Sequence, residues 1–471
     1  LLTKSGLGFS QEYTSMVYMG GMKNPSPIYD FDEFYRSFAP DMRVWGYIGY
    51  INSEARLLFQ PWWFAAHQYG GFTWYSSYAP LIRHYGLGTS WSLVDVPGNG
   101  LTVDAVNLKK SLESSKLLKG TGKLLLEYPW AKRDIAVYYS HDSMLLSFCL
   151  GQETKEGEID RESGPLHDYF YSRHRLRYLL EGMLHQYDFV APEQITDGIL
   201  AGFKILFMPG IKVLSDEEVA SLKAFMKRGG IIVADFMPGE YDQFGRKRAA
   251  TLFAGEDNLK VLGKCFDDTD MESAEKIKEL LASAKAAPVM ESDNSALCAG
   301  REGIRFMEGT NNLFMILRNP VRAKTSGLQT LAFPVFGHVY DIQRGKYLGT
   351  NSKVQVSLND KEPVAFFGIY PYSVKALEVS MPEKVKAGSD LEAALAVVPS
   401  EGKAGKHVFH IEVIPPGKGV LRHHMMRNIN AENGKASFRF RMGFNDPRGE
   451  WILLVNDILS GIAVEKKFIL E

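Results

Sequence analysis

Residues 203–236 read FKILFMPGIKVLSDEEVASLKAFMKRGGIIVADF, and how this stretch is parsed decides the fold. Two short, continuously apolar runs, FKILFMPG (203–210) and IIVADF (231–236), flank SDEEVASLKAFMKRGG (215–230). Ser215 followed three residues later by Glu218 is a capping box that opens a helix, and Gly229-Gly230 closes it. Strands this short and this uniformly apolar are expected where both faces of a parallel sheet are covered. The pattern extends upstream through DIAVYYS (134–140), the helical YSRHRLRYLLEGMLHQY (171–187) and DFVAP (188–192), giving a flavodoxin-like α/β domain over 134–289.

Toward the amino terminus the same alternation recurs. DFDEFYRSF (30–38) has helical spacing, RVWGYIGY (43–50) the aromatic and β-branched bias of a strand, and EARLLFQPWWFAAHQY (54–69) reads as an apolar helix that Pro61 is expected to kink. GGFTWYSS (70–77) is a further strand, so residues 1–100 form a parallel α/β unit whose strand ends are the expected place for a ligand. Residues 101–133, with TVDAVNLKKSLESSKLLKG, are expected to be a connector with a solvated charged face. Beyond about 290 helix signals stop, and turns such as EGTNN punctuate alternating runs like HVFHIEVI and ASFRFRM. Two β-sandwich domains are expected, 290–380 and 381–471, divided near MPEKVKAG (381–388). The fold class is thus multidomain α/β plus all-β.

The 471 residues carry a net charge of -1, which provides no basic field for nucleic acid or an anionic membrane. Their longest apolar runs fall short of the ~20 residues of a membrane helix. Cys149, Cys265 and Cys298 have no metal-type spacing and are expected to be free and mostly packed. The turns after the strands, SHDSMLLS, PGIKVLSD and FMPGEYDQFG, lack a glycine-rich phosphate loop, so no nucleotide or flavin is expected, and no other cofactor or metal. Leu1 rather than Met opens the sequence, so an export signal is not observable and the compartment is left open.

Sugars present polar rims and apolar C–H faces, and their sites combine aromatic platforms with acids and amides. Trp45, Tyr47, Tyr50 and Trp74 cluster at the ends of the two amino-terminal strands and are the candidate carbohydrate contacts. Because alternate strand residues face opposite ways, half of such rings would instead be barrel core. Glycoside hydrolysis needs two carboxyl groups. Glu12, in GLGFSQEY, is the first candidate and Glu54 the second, although an anion at a helix start is favoured by the helix dipole alone. His67, on an apolar helix, is expected to be a satisfied core histidine.

The run from RVWGYIGY through GGFTWYSS, with DIAVYYSHDSMLLSF, RLRYLLEGMLHQYDFVAPEQI and residues 203–236, resembles glycoside hydrolase family 42, the β-galactosidase-like enzymes. The stretch 130–255 looks like the trimerisation domain of that family, AFPVFGHVYDIQRGKYLG (332–349) and FFGIYPYSV (366–374) resemble the β domain after it, and NDPRGEWILLVNDILSGIAVEKKF (445–468) looks like an immunoglobulin-type module. The resemblance implies a retaining enzyme on a (β/α)8 barrel, with the acid/base on the fourth strand and a glutamate nucleophile on the seventh. A whole barrel takes about 250 residues, so residues 1–100 would supply only its last strands, with the rest upstream or on a second chain. RVWGYIGY matches the seventh strand, yet Gly46, Tyr47 and Ile48 stand where the family has its nucleophile, whereas Trp74 matches the Trp-bearing end of the eighth. The expectations are a β-galactosidase-like hydrolase that assembles as a homo-oligomer, a trimer by resemblance, or a catalytically inactive carbohydrate-binding or scaffold relative.

Overall fold

The computed structural model describes residues 9–11, 31–38, 44–48, 54–74, 94–95, 100–101, 103–151, 164–294, 300–323, 325–417 and 423–471. Five strands, Ile135–Tyr138, Tyr187–Val190, Ile205–Met208, Ile231–Ala234 and Leu259–Val261, form one parallel sheet in the order 2-1-3-4-5, a common doubly wound arrangement. Its two faces bury alternate residues of the same strands. Ala136, Tyr138, Leu206 and Met208 pack with the helix Asp216–Lys227, while Ile135, Val137, Ile205 and Phe207 pack with the helices Gly164–Gly182 and Met271–Ser283. This double burial is the reason the strands show no polar alternation.

The capping box forms as the sequence requires. Ser215 Oγ accepts from Glu218 N at 3.2 Å, and Glu218 Oε2 accepts from Ser215 N at 2.7 Å. At the other end Gly229 takes φ +95°, and a Cβ on Gly230 would lie 2.4 Å from the Phe225 ring, so two glycines are needed for two different reasons.

Helix Phe31–Phe38, which the sequence assigns to the amino-terminal unit, packs on this sheet. Phe34 and Phe38 join its second-face core, Arg36 Nη1 lies 2.8 Å from Asp188 Oδ1, and Ser37 Oγ accepts from Phe189 N at 2.9 Å. The outer strand, Tyr187–Val190, supplies both the apolar surface and the charge that this aromatic helix needs.

The amino-terminal sheet is also parallel: Phe9–Gln11, Val44–Ile48 and Gly71–Trp74 lie side by side in sequence order, with the helix Glu54–Ala66, which contains Pro61, between the last two. The expected solvated connector is only half solvated. Helices Val103–Ser115 and Gly122–Glu127, joined by a π-helical turn at Leu117–Thr121, expose Lys109, Lys110 and Glu113 but bury Leu108, Leu117, Leu124, Leu125 and Tyr128 in a core shared with the carboxyl-terminal strands. The apolar residues interleaved with those charges find a surface to cover, and the segment becomes a wedge.

After it, six antiparallel strands between Glu291 and Tyr370 form one sheet. Two further sheets share a core around the fully buried Trp451: Val374–Ser380, Asp390–Pro399 and Lys435–Arg441 make one, and Lys384–Val385, His407–Ile414, Met426–Ala431, Gly449–Asp457 and Ala463–Leu470 the other. Pro371 follows the end of Val364–Tyr370, and Val374–Ser380 pairs with Asp390–Pro399 rather than with the strands before it, so the change of sheet comes ahead of residues 381–388.

Cys149 corrects the expectation that the cysteines are mostly packed. It is exposed, Cys265 is half-buried, both are free, and Cys298 lies outside the described residues. The helix His141–Gly151 turns Ser143 and Ser147 inward, because Ser143 Oγ accepts from Lys212 N and Val213 N, and this leaves Leu145, Phe148 and Cys149 outside.

Candidate functional site

Three places in the molecule gather residues of site-forming chemistry: the ends of the amino-terminal strands, the crevice of the five-stranded sheet, and a polar cavity between helices Glu54–Ala66 and Gly164–Gly182.

At the first, register fixes which candidate residues share a face. Trp45 pairs with Gly71, Tyr47 with Thr73 and Ile48 with Trp74, while Gln11 pairs with Gly46. Laterally paired residues lie on one side of a sheet and alternate residues on opposite sides. Trp45 and Tyr47 therefore occupy one face, and Trp74 occupies the other together with Phe72, Gly46 and Ile48. Glu54 is exposed at the first residue of its helix. Glu12 and Tyr50 lie outside the described residues.

In a 2-1-3-4-5 sheet ligands bind where the connections diverge, beyond the first and third strands. Here that crevice is filled by the chain itself. Tyr169 Oη donates to Ser140 O at 2.9 Å, and its ring sits against Gly210, whose φ of +65° and bare Cα permit the approach. Asp235 closes the space below, accepting from Gly210 N at 2.8 Å, Ser172 Oγ at 2.6 Å and Phe236 N at 2.8 Å. Burial pushes the Asp235 carboxyl up to about 6 against the pull of these donors. Burial, with Asp235 and Asp168 adding to it, pushes the nearby Cys265 thiol up to about 12, the opposite of what a nucleophile needs.

The third place went unnoticed in the sequence. A cavity of about 30 Å³, room for one water, lies between the helices Glu54–Ala66 and Gly164–Gly182 and the strand Arg301–Glu308. Glu181 is its buried acid. Arg177 Nε lies 2.5 Å from Glu181 Oε1, and Arg322 Nη1 is 3.8 Å from Oε2. Burial, opposed by Arg177 and Arg322 and reinforced by Glu302, raises the Glu181 carboxyl to about 7. Glu302, which also lines it, has Oε1 3.1 Å from Nε2 of the buried His67 behind it. The Arg177 and Glu181 pair, four apart on one helix, is the only local signal the sequence offers for it. His67 directly follows the helix Glu54–Ala66, four residues before strand Gly71–Trp74 begins, so this cavity lies toward the strand's entry end.

Among the described residues no group of three or more His, Cys, Asp and Glu side chains is placed to hold a metal ion, and no helix is long and apolar enough to cross a membrane.

No family model and no curated protein matches the sequence. Solved structures do. Gan42B, a GH42 β-galactosidase from G. stearothermophilus, is 12% identical over 78% of this chain with a TM-score of 0.53, and a catalytic mutant of it is 13% identical over the same share with a TM-score of 0.55. An exo-carrageenase of GH42 from Bacteroides ovatus aligns over 72% with a TM-score of 0.44. The chain spans 60% of the length of the two β-galactosidase chains and 43% of the carrageenase. Over most of its length, the chain is similar in fold to GH42 β-galactosidases.

Proposed function

We propose that this chain is the carboxyl-terminal part of a retaining glycoside hydrolase acting on β-linked sugars, of β-galactosidase-like type. The observation that carries the proposal is the order of its sheets. Three parallel strands in sequence order are followed by a doubly wound 2-1-3-4-5 sheet and then by antiparallel sheets, an arrangement similar to the GH42 fold. The three strands are assigned to the end of a (β/α)8 barrel, whose other strands come from residues upstream or from a second chain. Residues 134–289 are assigned as the flavodoxin-like, trimerisation-type unit and the last sheets as an immunoglobulin-like module.

Trp74 is assigned to the sugar. Trp45 and Tyr47, at register positions of the other face, and Tyr50, two residues beyond that strand in sequence, are further candidates for the sugar. Glu12, which follows the strand Phe9–Gln11, is the carboxylate assigned to catalysis, and Glu54 to the helix dipole. The partner in assembly is a second copy, and the exposed Leu145 and Phe148 on the helix His141–Gly151 support that assignment.

Protein containing an entire barrel is expected to hydrolyse aryl β-glycosides. Trp74→Ala is expected to raise KM by about tenfold, the loss of one stacking platform. Glu12→Gln is expected to lower kcat by at least about 100-fold. A second assignment, a carbohydrate-binding relative without activity, is favoured by one observation: Val44–Ile48 reads VWGYI and contains no carboxylate. Sugar binding that is abolished by Trp74→Ala, with no turnover by the complete protein, would establish it instead.

A further inference from the structure

Tyr347 and Thr350 lie three apart on the strand Lys346–Leu358, so on a regular strand their side chains would point to opposite faces of the sheet. They do not. Val339 pairs with Gly349 and the next residue, Tyr340, with Tyr347, so Leu348 is an extra residue that bulges the strand, and Gly349 beside it takes φ +92°. The bulge turns both hydroxyls toward one imidazole. Tyr347 Oη is 2.7 Å and Thr350 Oγ1 3.2 Å from His338 Nδ1, and the two oxygens are 3.4 Å apart. Each hydroxyl has one donor and two acceptor positions while Nδ1 has a single position, so the three groups do not saturate one another and capacity is left for a ligand.

The ring that carries the first hydroxyl is backed and partly uncovered. Tyr347 is 43% exposed, with the Tyr340 ring at 5.1 Å and the His338 ring at 5.9 Å between centroids. Tyr340 is itself fixed, its hydroxyl accepting from Val374 N at 2.7 Å. The turn of the hairpin is fixed too, since Gly345 sits so close to Gly461 of the last sandwich that a Cβ on Gly461 would stand 2.5 Å from Gly345 Cα. From the same sandwich Glu401 comes within 3.7 Å of His338 Nε2. Phe336, in the irregular stretch of strand Gly327–Asp341 that precedes Gly337, is a second exposed ring, at 74%. The corner thus lies where the six-stranded sheet meets the sandwich, and ligand sites are common where such units meet.

We propose that this corner is a second saccharide-binding site, on a different sheet from Trp74, in which the Tyr347 ring stacks on the apolar face of a pyranose while the Tyr347 and Thr350 hydroxyls and His338 take its hydroxyl groups. A ring fixed before binding loses little freedom when a sugar covers it, which is what an exposed site needs. The charges select a neutral chain. Glu401 at the border repels carboxylated or sulfated sugars, Lys346 stands opposite Asp341 in the hairpin register, and the Arg344 guanidinium on the turn is taken by Asp341 at 2.8 Å and Glu362 at 3.3 Å. An apolar protein surface is the poorer match, because it would cover the hydroxyls and the imidazole without hydrogen-bond partners. Only the choice of a β-linked galactan as probe rests on the function proposed above; the corner stands on its own geometry.

Affinity electrophoresis of the full chain through gels holding soluble β-1,4-galactan tests this. The unaltered protein is expected to be retarded, and polygalacturonate in place of the galactan is expected to give no retardation. Tyr347→Ala is expected to weaken the affinity about tenfold, and Tyr347→Phe, which keeps the ring, about threefold. Trp74→Ala is expected to leave the Tyr347-dependent retardation in place. Tyr347 is exposed, so denaturant unfolding of its variants should match that of the unaltered protein. Absence of retardation overturns the site, as do equal retardation of Tyr347→Ala and stronger binding of polygalacturonate. Retardation lost in Trp74→Ala and kept in Tyr347→Ala overturns it in favour of the amino-terminal strands. A fall in assembled mass in Tyr347→Ala would give the corner to a second copy and overturn it as well. Tyr347-dependent retardation with no hydrolysis by the complete protein would support the site and count against the catalytic reading alone.

Discussion

His407 Nδ1 lies 2.8 Å from Asp457 Oδ1 with both side chains completely buried, and the other imidazole nitrogen is 2.9 Å from Tyr372 Oη. Tyr372 Oη in turn accepts from Gly405 N at 2.6 Å, and Asp457 Oδ2 accepts from Ser460 N at 3.1 Å. One enclosed chain of polar groups thus pins Tyr372, two residues beyond strand Val364–Tyr370, to the last sandwich. Asp457→Ala would leave His407 and the Ser460 amide unpaired in the interior. It is expected to cost about 3–5 kcal/mol, the usual penalty for breaking a buried pair from one side. Denaturant unfolding followed through Trp451, which is packed in the same core, checks this; a loss below about 1 kcal/mol would show the chain to be dispensable.

Asp235 gives a pH dependence of its own. Its folded carboxyl is raised to about 6 by burial, so the folded state keeps a proton that the unfolded chain gives up earlier. Stability contributed by this group is full below the unfolded value of about 4 and declines as pH rises toward about 6. Asp235→Asn is expected to flatten that decline. It should also lower stability by about 1–3 kcal/mol, because an amide nitrogen would meet the Gly210 or Phe236 donors. Thermal unfolding at a series of pH values separates the two effects, and an unchanged slope in the variant would locate the proton elsewhere.

The outward face of His141–Gly151 is expected to be an assembly surface. Phe148→Asp should reduce the assembled mass seen by sedimentation. Folding stability of the dissociated chain should change by less than about 0.5 kcal/mol, since the side chain is exposed. Retention of the parent assembly by Phe148→Asp combined with Leu145→Asp would exclude this helix from the contact.

Gly210→Ala is expected to destabilise the doubly wound sheet by about 1–3 kcal/mol, because the residue has φ +65° and a Cβ would stand 2.8 Å from Tyr169 Cδ2 and 3.1 Å from its Cα. In a double-mutant cycle with Tyr169→Ala, whose own loss of a buried ring is measured separately, the cost of Gly210→Ala should be smaller on the Tyr169→Ala background, where only the clash with the ring is removed. An equal cost on both backgrounds would mean that the ring contributes nothing to it.

What the sequence disclosed depended on whether a signal was local. The strands at 205–208 and 231–234 and the cap at Ser215 are written in a few adjacent residues, and the structure has all of them. The partner of an element is not local. Helix Phe31–Phe38 was visible as a helix, but nothing in DFDEFYRSF says that Asp188, 152 residues away from Arg36, waits for it. The polar joint was hidden for the same reason, since Glu181, Glu302 and Arg322 come from separate elements and meet only in space. At the candidate sugar site the limit was register. Trp45 and Trp74 share a composition signal, and only the pairing of Trp45 with Gly71 and of Ile48 with Trp74 gives them register positions of opposite parity.

The docking of helix Phe31–Phe38 on the outer strand Tyr187–Val190 also governs how this polypeptide can be dissected. A recombinant fragment beginning at Asp134 would carry all five strands of the parallel sheet and still be unfinished. Phe189 N would lose the Ser37 hydroxyl, Asp188 would lose Arg36, and the rings of Phe189 and Tyr139 would lose the Phe34 face that covers them. The units are interleaved along the chain, and a cut that respects sequence order opens a hydrophobic wound in the piece it meant to isolate.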